Sequence, residues 1–291
     1  MRNAFIQYLV QRTKSDKRIF LLTGDLGFGA LEPFIEDHPE NFLNAGIAEQ
    51  NMIGVAAGLS VTGKIPFLYS IGNFPTFRCA EQIRNDIDYH NLPAVVVSVG
   101  AGVSYGALGY SHHAIQDIAL MRAFPNMTIL TPCDGVQVKG CLDYILENPT
   151  PAYLRLGKTG ELDLTKKREL KPGECNFIVH EKNDTLVLAL GTAAQHLDYL
   201  QFTNYDLATL PIWGQTTDIT AIEDVLSQYK KVIIYEHHLK ACGLYSWICE
   251  NLKNRNLLNS MYSLSFNSSI IGDVGSDKYL IKKHLKYFPD H

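Results

Sequence analysis

Residues 44–52, Asn44-Ala45-Gly46-Ile47-Ala48-Glu49-Gln50-Asn51-Met52, place one carboxylate inside an otherwise uncharged run of small and apolar residues. Residues 53–59 continue that run and include Gly54 and Gly58. A chain that packs this segment must bury the carboxyl of Glu49 or give it a dedicated partner, because an unpaired buried charge is expensive. Glu49 is therefore a candidate functional group. The other reading is a helix-start carboxylate stabilised by the positive end of the macrodipole.

Strands and helices alternate outward from this point. Residues 18–25 read as a buried strand ending in a turn, and residues 51–62 as a helix packed closely through Gly54 and Gly58. Residues 64–70 form a strand, 80–89 a helix with Ile83 and Ile87 on one face, and 94–99 a continuous apolar strand. Residues 114–123 read as helical and 127–131 as another strand. The pattern predicts an α/β fold with a mostly parallel sheet covered on both faces. A charged stretch at 166–173, broken by Pro172-Gly173, reads as a linker or edge. Strands at 185–192 and 231–236 and a helix at 246–252 follow it. The expected organisation is two α/β domains, 1–165 and 174–291, each a mostly parallel sheet sandwiched by helices.

The composition allows this. A chain of 291 residues with 46% hydrophobic content supports two cores. A formal charge of −4 gives no electrostatic footprint for nucleic acid. The apolar stretch at 4–10, flanked by Arg2 and Arg12, is too short and polar for a membrane span and lacks a following cleavage site. It reads as an amphipathic first helix. Six cysteines without a Cys-x-x-Cys pair indicate neither a zinc site nor a disulfide framework, so a reduced, cytoplasmic protein is expected.

The run Gly46-Ile47-Ala48-Glu49-Gln50-Asn51-Met52, followed by Gly54 to Leu59, resembles the pyrimidine-binding domain of the transketolase family. Further matches follow in order: Glu81-Gln82-Ile83-Arg84-Asn85-Asp86, Asp117 to Arg122, Pro125-Asn126-Met127-Thr128, and Pro151 to Gly157. The similarity runs from about residue 18 to about residue 255.

The resemblance implies thiamine diphosphate as cofactor, with Glu49 holding N1′ of its aminopyrimidine ring. A glutamate in an apolar pocket shares its proton readily near neutrality. Phe74 matches the ring that stacks on the pyrimidine, worth roughly 0.5–1.5 kcal/mol beyond area burial. Phe77, one turn later, is expected to line the same pocket. His112 matches the histidine of the family's Ser/Thr-His pair and suits proton transfer and hydroxyl recognition. His113 beside it and Lys158, at the family's phosphate-binding arginine, are the further substrate-binding candidates. The histidine loop supplies too few ligands for a metal. Asp117 is expected to be structural, as are Arg78 and Arg84, paired with neighbours such as Glu81 and Asp88. Glu236-His237-His238 resembles a family turn with no cofactor role.

The family's diphosphate signature is Gly-Asp-Gly followed by Asn, which presents oxygens to a divalent cation. Gly24-Asp25-Leu26 and Gly272-Asp273-Val274 both break it. The resemblance thus implies the C-terminal subunit of a split enzyme. Mg2+ or Ca2+ and the diphosphate would be held mainly by an N-terminal subunit carrying Gly-Asp-Gly…Asn. A homodimer of this chain within a heterotetramer is expected, with no nucleic acid and no membrane involved.

Departures from the family concern the substrate. Gly106-Ala107-Leu108-Gly109 lacks the acidic residue of the family's loop, residues 99–101 lack its histidine, and Phe28 or Gly29 replaces its small serine. Lys158 keeps a positive charge without the bidentate fork of arginine. With Tyr105 and Tyr110 in the loop, the expected activity is two-carbon ketol transfer to an aldehyde or ketosugar acceptor of non-standard type, deoxy or nucleotide-linked. Two other readings stay open: the beta subunit of a 2-oxo acid dehydrogenase, and a non-catalytic assembly or regulatory subunit. Retention of Glu49, Phe74 and His112 weighs against the latter.

Overall fold

Runs of aliphatic and β-branched residues set the strands. The computed structural model describes residues 1–197 and 203–285. Its strands are β1 (Ile19–Thr23), β2 (Phe42–Asn44), β3 (Ile65–Ile71), β4 (Val95–Val99), β5 (Thr128–Leu130), β6 (Ala152–Leu156), β7 (Asn176–Val179), β8 (Thr185–Ala189), β9 (Asp206–Thr209), β10 (Ile212–Gly214), β11 (Lys231–Leu239) and β12 (Met261–Phe266). The helices are α1 (Arg2–Thr13), α2 (Glu32–Asp37), α3 (Glu49–Val61), α4 (Ala80–Gln82), α5 (Asp117–Met121), α6 (Gly135–Glu147), α7 (Thr220–Leu226), α8 (Leu244–Asn251) and α9 (Asp277–His284).

The strands form two sheets. One has the order β10-β5-β6-β4-β3-β1-β2 and the other β12-β11-β8-β9-β7. Neighbours are parallel except the pairs β10–β5 and β7–β9. Both faces of the first sheet are covered, which is why β3 and β4 read as unbroken apolar runs rather than alternating ones. Phe67, Val95 and Val97 face Phe5, Leu9, Leu142 and Ile145 of α1 and α6. Leu68 and Val96 face the other way, into a core with Met52, Ile53, Ile83 and Ile87 that continues to Leu186, Leu188 and Val232 of the second sheet. Trp213 and Trp247, with centroids 5.1 Å apart, belong to that shared core.

Several elements differ from expectation. The helix expected at 80–89 is a 3-10 turn at Phe77–Cys79, the three-residue α4, and a π-helical stretch at Ile83–Asp88. The helix expected at 114–123 is confined to α5; before it Ala114 bridges to Gly102, its carbonyl accepting from the Gly102 N–H and from Arg155 Nη2. The segment at 166–173 lies along the first unit: Leu170 is buried in its core and Arg168 pairs with Asp143 of α6. Strand β10, from beyond that segment, returns to pair antiparallel with β5 in the first sheet.

In the first sheet β1 lies between β2 and β3, so the direction of winding reverses there. Crevices at such switch points, outside the carboxyl ends of strands, are where α/β sheets bind ligands. The turns after β1, β3, β4 and β6 all open on this edge.

Candidate active site

Glu49 is the first residue of α3, where Ala48 provides no side-chain cap. Both sequence readings of it hold: it faces the positive helix end and it is buried, at 3% exposure. Gly24, after β1, packs against its stem; a Cβ added there would lie 3.4 Å from Glu49 Cγ. The pocket is not apolar as expected. Arg78 Nη1 donates to Glu49 Oε2 at 2.7 Å, and the Arg78 guanidinium lies 5.0 Å from the centroid of the Phe74 ring. Arg78 therefore pairs across 29 residues rather than with Glu81, and Arg84 donates to Asn85 rather than to Asp88. The acidic partner of Asn126 is Asp88, which accepts from its backbone N–H.

Backbone contacts fix the aromatic wall. Gly72 N–H donates to Val99 O, and Ser98 Oγ donates to Gly72 O, so the turn after β3 is tied to the end of β4. Asn73 Nδ2 donates to the carbonyls of Ser111 and His113, which brings the histidine loop against Phe74. His112 meets Phe74 edge-on at 5.3 Å and Tyr105 at 6.5 Å, and its Nδ1 contacts Ser111 Oγ at 3.0 Å. Tyr105 stays in place because Gly100, at φ +99°, leaves room for its ring; a Cβ there would meet the ring at 2.3 Å. Lys158 Nζ lies 5.1 Å from the Tyr105 centroid. Glu49, Phe74, His112 and Lys158 thus lie along one line of contacts.

Two predicted residues stand apart from that line. His113 is buried, its Nε2 against Gly106 O at 3.2 Å, so it packs within the loop rather than along that line. Phe77 is 45% exposed, on the rim rather than in a closed pocket, because the 3-10 turn at Phe77–Cys79 turns it outward.

Beyond Tyr105 a cleft of about 820 Å³ opens between the two sheets, lined by Lys158, Glu161, Gln195, His196 and Lys278 among others. Arg2 of α1 acts on this end. Burial pushes the Tyr69 hydroxyl up to about 12 and also raises that of Tyr105, and the Arg2 charge opposes both shifts. Arg2 was readable only as a flank of the first helix; its proximity to Tyr105 is a product of α1 packing. A second groove, of about 900 Å³ between α1 and α6, shares no lining residue with the site.

Asp117 is structural. It is fully buried, bonded to Arg155 Nε at 2.7 Å and Tyr153 OH at 2.5 Å. Burial works against its charge, but Arg155, His238 and these hydrogen bonds hold its carboxyl below the usual range. Arg155 also donates to His237 O and so ties β6 to β11. Burial lowers the pKa of His238 to about 4 and that of His237 well below the usual value. Both rings are neutral at physiological pH.

The family model for the transketolase pyrimidine binding domain matches residues 1–160. The chain belongs to the transketolase family. The putative transketolase C-terminal section of Methanocaldococcus jannaschii is 30% identical over 287 residues, covering 97% of this chain and 90% of that protein. A subunit of the apulose-4-phosphate transketolase of Phocaeicola vulgatus is 29% identical over 263 residues, 86% of this chain and 83% of that protein. A solved structure described as a split gene transketolase, inactive beta4 tetramer, superposes with a TM-score of 0.83 at 30% identity, covering 97% of this chain and 92% of that one. This transketolase chain is thus of the C-terminal type found as a subunit in split enzymes, with the two-sheet α/β fold of that group.

The residues fit the family cofactor. The slot between Glu49 and Phe74 holds a flat, N–H-bearing group, the Arg78 guanidinium, against a carboxylate and an aromatic face. An aminopyrimidine ring makes the same two demands. A divalent cation fits less well: Asp25 accepts from Asn44 Nδ2, and among the described residues no cluster of three or more His, Cys, Asp or Glu could hold a metal.

Proposed function

We propose that this chain is the C-terminal subunit of a thiamine diphosphate-dependent transketolase in the cytoplasm, supplying the aminopyrimidine end of the site while a separate N-terminal subunit grips the diphosphate through Mg2+ or Ca2+. The observation that carries the reading is the line of contacts from Glu49 and Phe74 through His112 to Tyr105 and Lys158. When bound, thiamine diphosphate supplies a nucleophilic carbon able to carry a two-carbon ketol unit.

In this reading Glu49 holds a proton at the ring nitrogen from its buried place at the start of α3. Phe74 fixes the ring plane. His112, within contact of both Phe74 and Tyr105, moves protons at substrate hydroxyls. Lys158, against the Tyr105 ring, and Arg2, whose charge acts on Tyr105, take an anionic end of the sugar. The loop Gly106-Ala107-Leu108-Gly109 brings no carboxylate to the acceptor, which supports a non-standard sugar phosphate, deoxy or nucleotide-linked, over xylulose 5-phosphate and ribose 5-phosphate. The domains of this reading are 1–165 and 174–291, with β10 lent to the first. The outward face of α3, with Gly54, Gly58 and Val61 exposed, suits the homodimer of a heterotetramer.

The test is reconstitution with an N-terminal subunit that carries Gly-Asp-Gly…Asn, followed by ketol-transfer assays. Glu49→Gln should lower kcat roughly 10²–10⁴-fold. Unchanged turnover would remove Glu49 from the chemistry. Full activity on xylulose 5-phosphate and ribose 5-phosphate would dismiss the non-standard acceptor.

A further inference from the structure

Arg78 sits where the proposed function needs a ring. Its guanidinium is planar, carries N–H donors and charge, bonds Glu49 Oε2 at 2.7 Å and covers the Phe74 face at 5.0 Å. Those are the two contacts required of an aminopyrimidine. The two partners differ in exposure: the Glu49 side chain is at 3% and that of Arg78 at 48%. Glu49 is fixed in the fold, whereas Arg78 reaches in from the rim. Among the described residues Arg78 makes no second ion pair, so nothing else holds it over the ring. The backbone under it is irregular, passing from a 3-10 turn through three α-helical residues to a π-helical stretch. Such changes of helix type commonly mark segments that repack at functional sites.

Resting on the reading above, we propose that Arg78 is a built-in stand-in for the cofactor ring: it fills the slot between Glu49 and Phe74 in the uncombined chain and swings out when thiamine diphosphate enters. The stand-in has a physical purpose. Without it the free chain would bury the Glu49 carboxylate with no partner, at a substantial cost in stability. With it, the free chain folds with a satisfied pocket, and cofactor binding is an exchange of one planar donor for another.

The exchange is measurable. Thiamine diphosphate with Mg2+ is titrated into the reconstituted pair of subunits and binding is followed by protein fluorescence, for wild type, Arg78→Met and Arg78→Lys. The stand-in predicts that Arg78→Met binds the cofactor about fivefold more tightly, or about 1 kcal/mol at about 1.4 kcal/mol per factor of ten. Arg78→Lys, which keeps the charge but not the plane, should fall between the two. Free guanidinium ion should compete with the cofactor in Arg78→Met and much less in wild type, whose slot is already filled. Unchanged or weaker binding by Arg78→Met, in a wild-type pair that does bind, overturns the stand-in alone. A wild-type pair that binds no thiamine diphosphate overturns the site assignment and the stand-in with it.

Discussion

Replacing Glu236 with Gln should remove a pH slope from the stability of this protein. Glu236 is fully buried on β11 and accepts from the backbone N–H groups of Leu244 at 2.7 Å and Tyr245 at 3.4 Å, at the start of α8. Gly243 makes room for it, since a Cβ there would lie 2.3 Å from Glu236 Oε2. Burial pushes the carboxyl from 4.5 to about 7, against the pull of those N–H groups, of Arg155 and of Ser265. The folded chain therefore keeps this proton up to about pH 7, whereas the unfolded chain releases it near pH 4.5. Stability from this group is fully present at low pH, falls as pH rises through that window, and is level above it. At about 1.4 kcal/mol per pH unit the loss amounts to about 3 kcal/mol. Gln cannot ionise and has one acceptor oxygen, so it keeps the Leu244 bond and gives up the longer one at about 1 kcal/mol. The variant should thus be about 1 kcal/mol less stable than wild type at pH 4, below the window, and about 2 kcal/mol more stable at pH 8, above it. Urea unfolding of both proteins at the two pH values measures this. Parallel pH dependence in the two proteins would refute the reasoning, because the slope would then belong to other groups.

Other perturbations have equally definite outcomes. Asp117→Asn strands the fully buried Arg155 guanidinium and should cost about 3–5 kcal/mol, read as a lower Tm. Gly102→Ala forces a side chain onto a φ of +64° with its Cβ 2.7 Å from His237 Cβ; thermal melts should show a loss of about 2 kcal/mol or more. Lys158→Ala and Arg2→Ala in the reconstituted enzyme should each raise KM for a phosphorylated acceptor about tenfold with kcat little changed. A loss confined to kcat would contradict their role at the anionic end.

What could be read from the sequence followed from how strongly each position constrains itself. The runs of β3, β4, β8 and β11 were legible because burial on both faces leaves no polar alternation. The three-residue strands β2 and β10 were not, since their identity comes from pairing with β1 and β5 rather than from their own residues. Helix α6 carried a readable signal that was missed: Asp134 caps the Gln137 N–H, and Val138, Cys141, Leu142 and Ile145 recur at helical spacing. Glu49 stood out as a lone carboxylate in an apolar run, and the structure buries it. Its partner did not stand out. Arg78 has Glu81 three residues away, and only a break in helix regularity turns it toward a carboxylate 29 residues back. The burial of His113 was equally hidden, because adjacent residues in a loop can face opposite ways.

Strand β10 also bears on how this protein tolerates being cut. It closes the β5 edge of the first sheet with residues that come from beyond position 174. A fragment ending near residue 165 would keep Glu49, Phe74, His112 and Lys158, yet would present β5 as an open edge with unpaired amides and carbonyls. Such edges recruit strands from other molecules. The isolated front half should therefore self-associate rather than behave as a well-behaved miniature, and co-expressing the missing strand as part of its own half is the natural way to quench that stickiness.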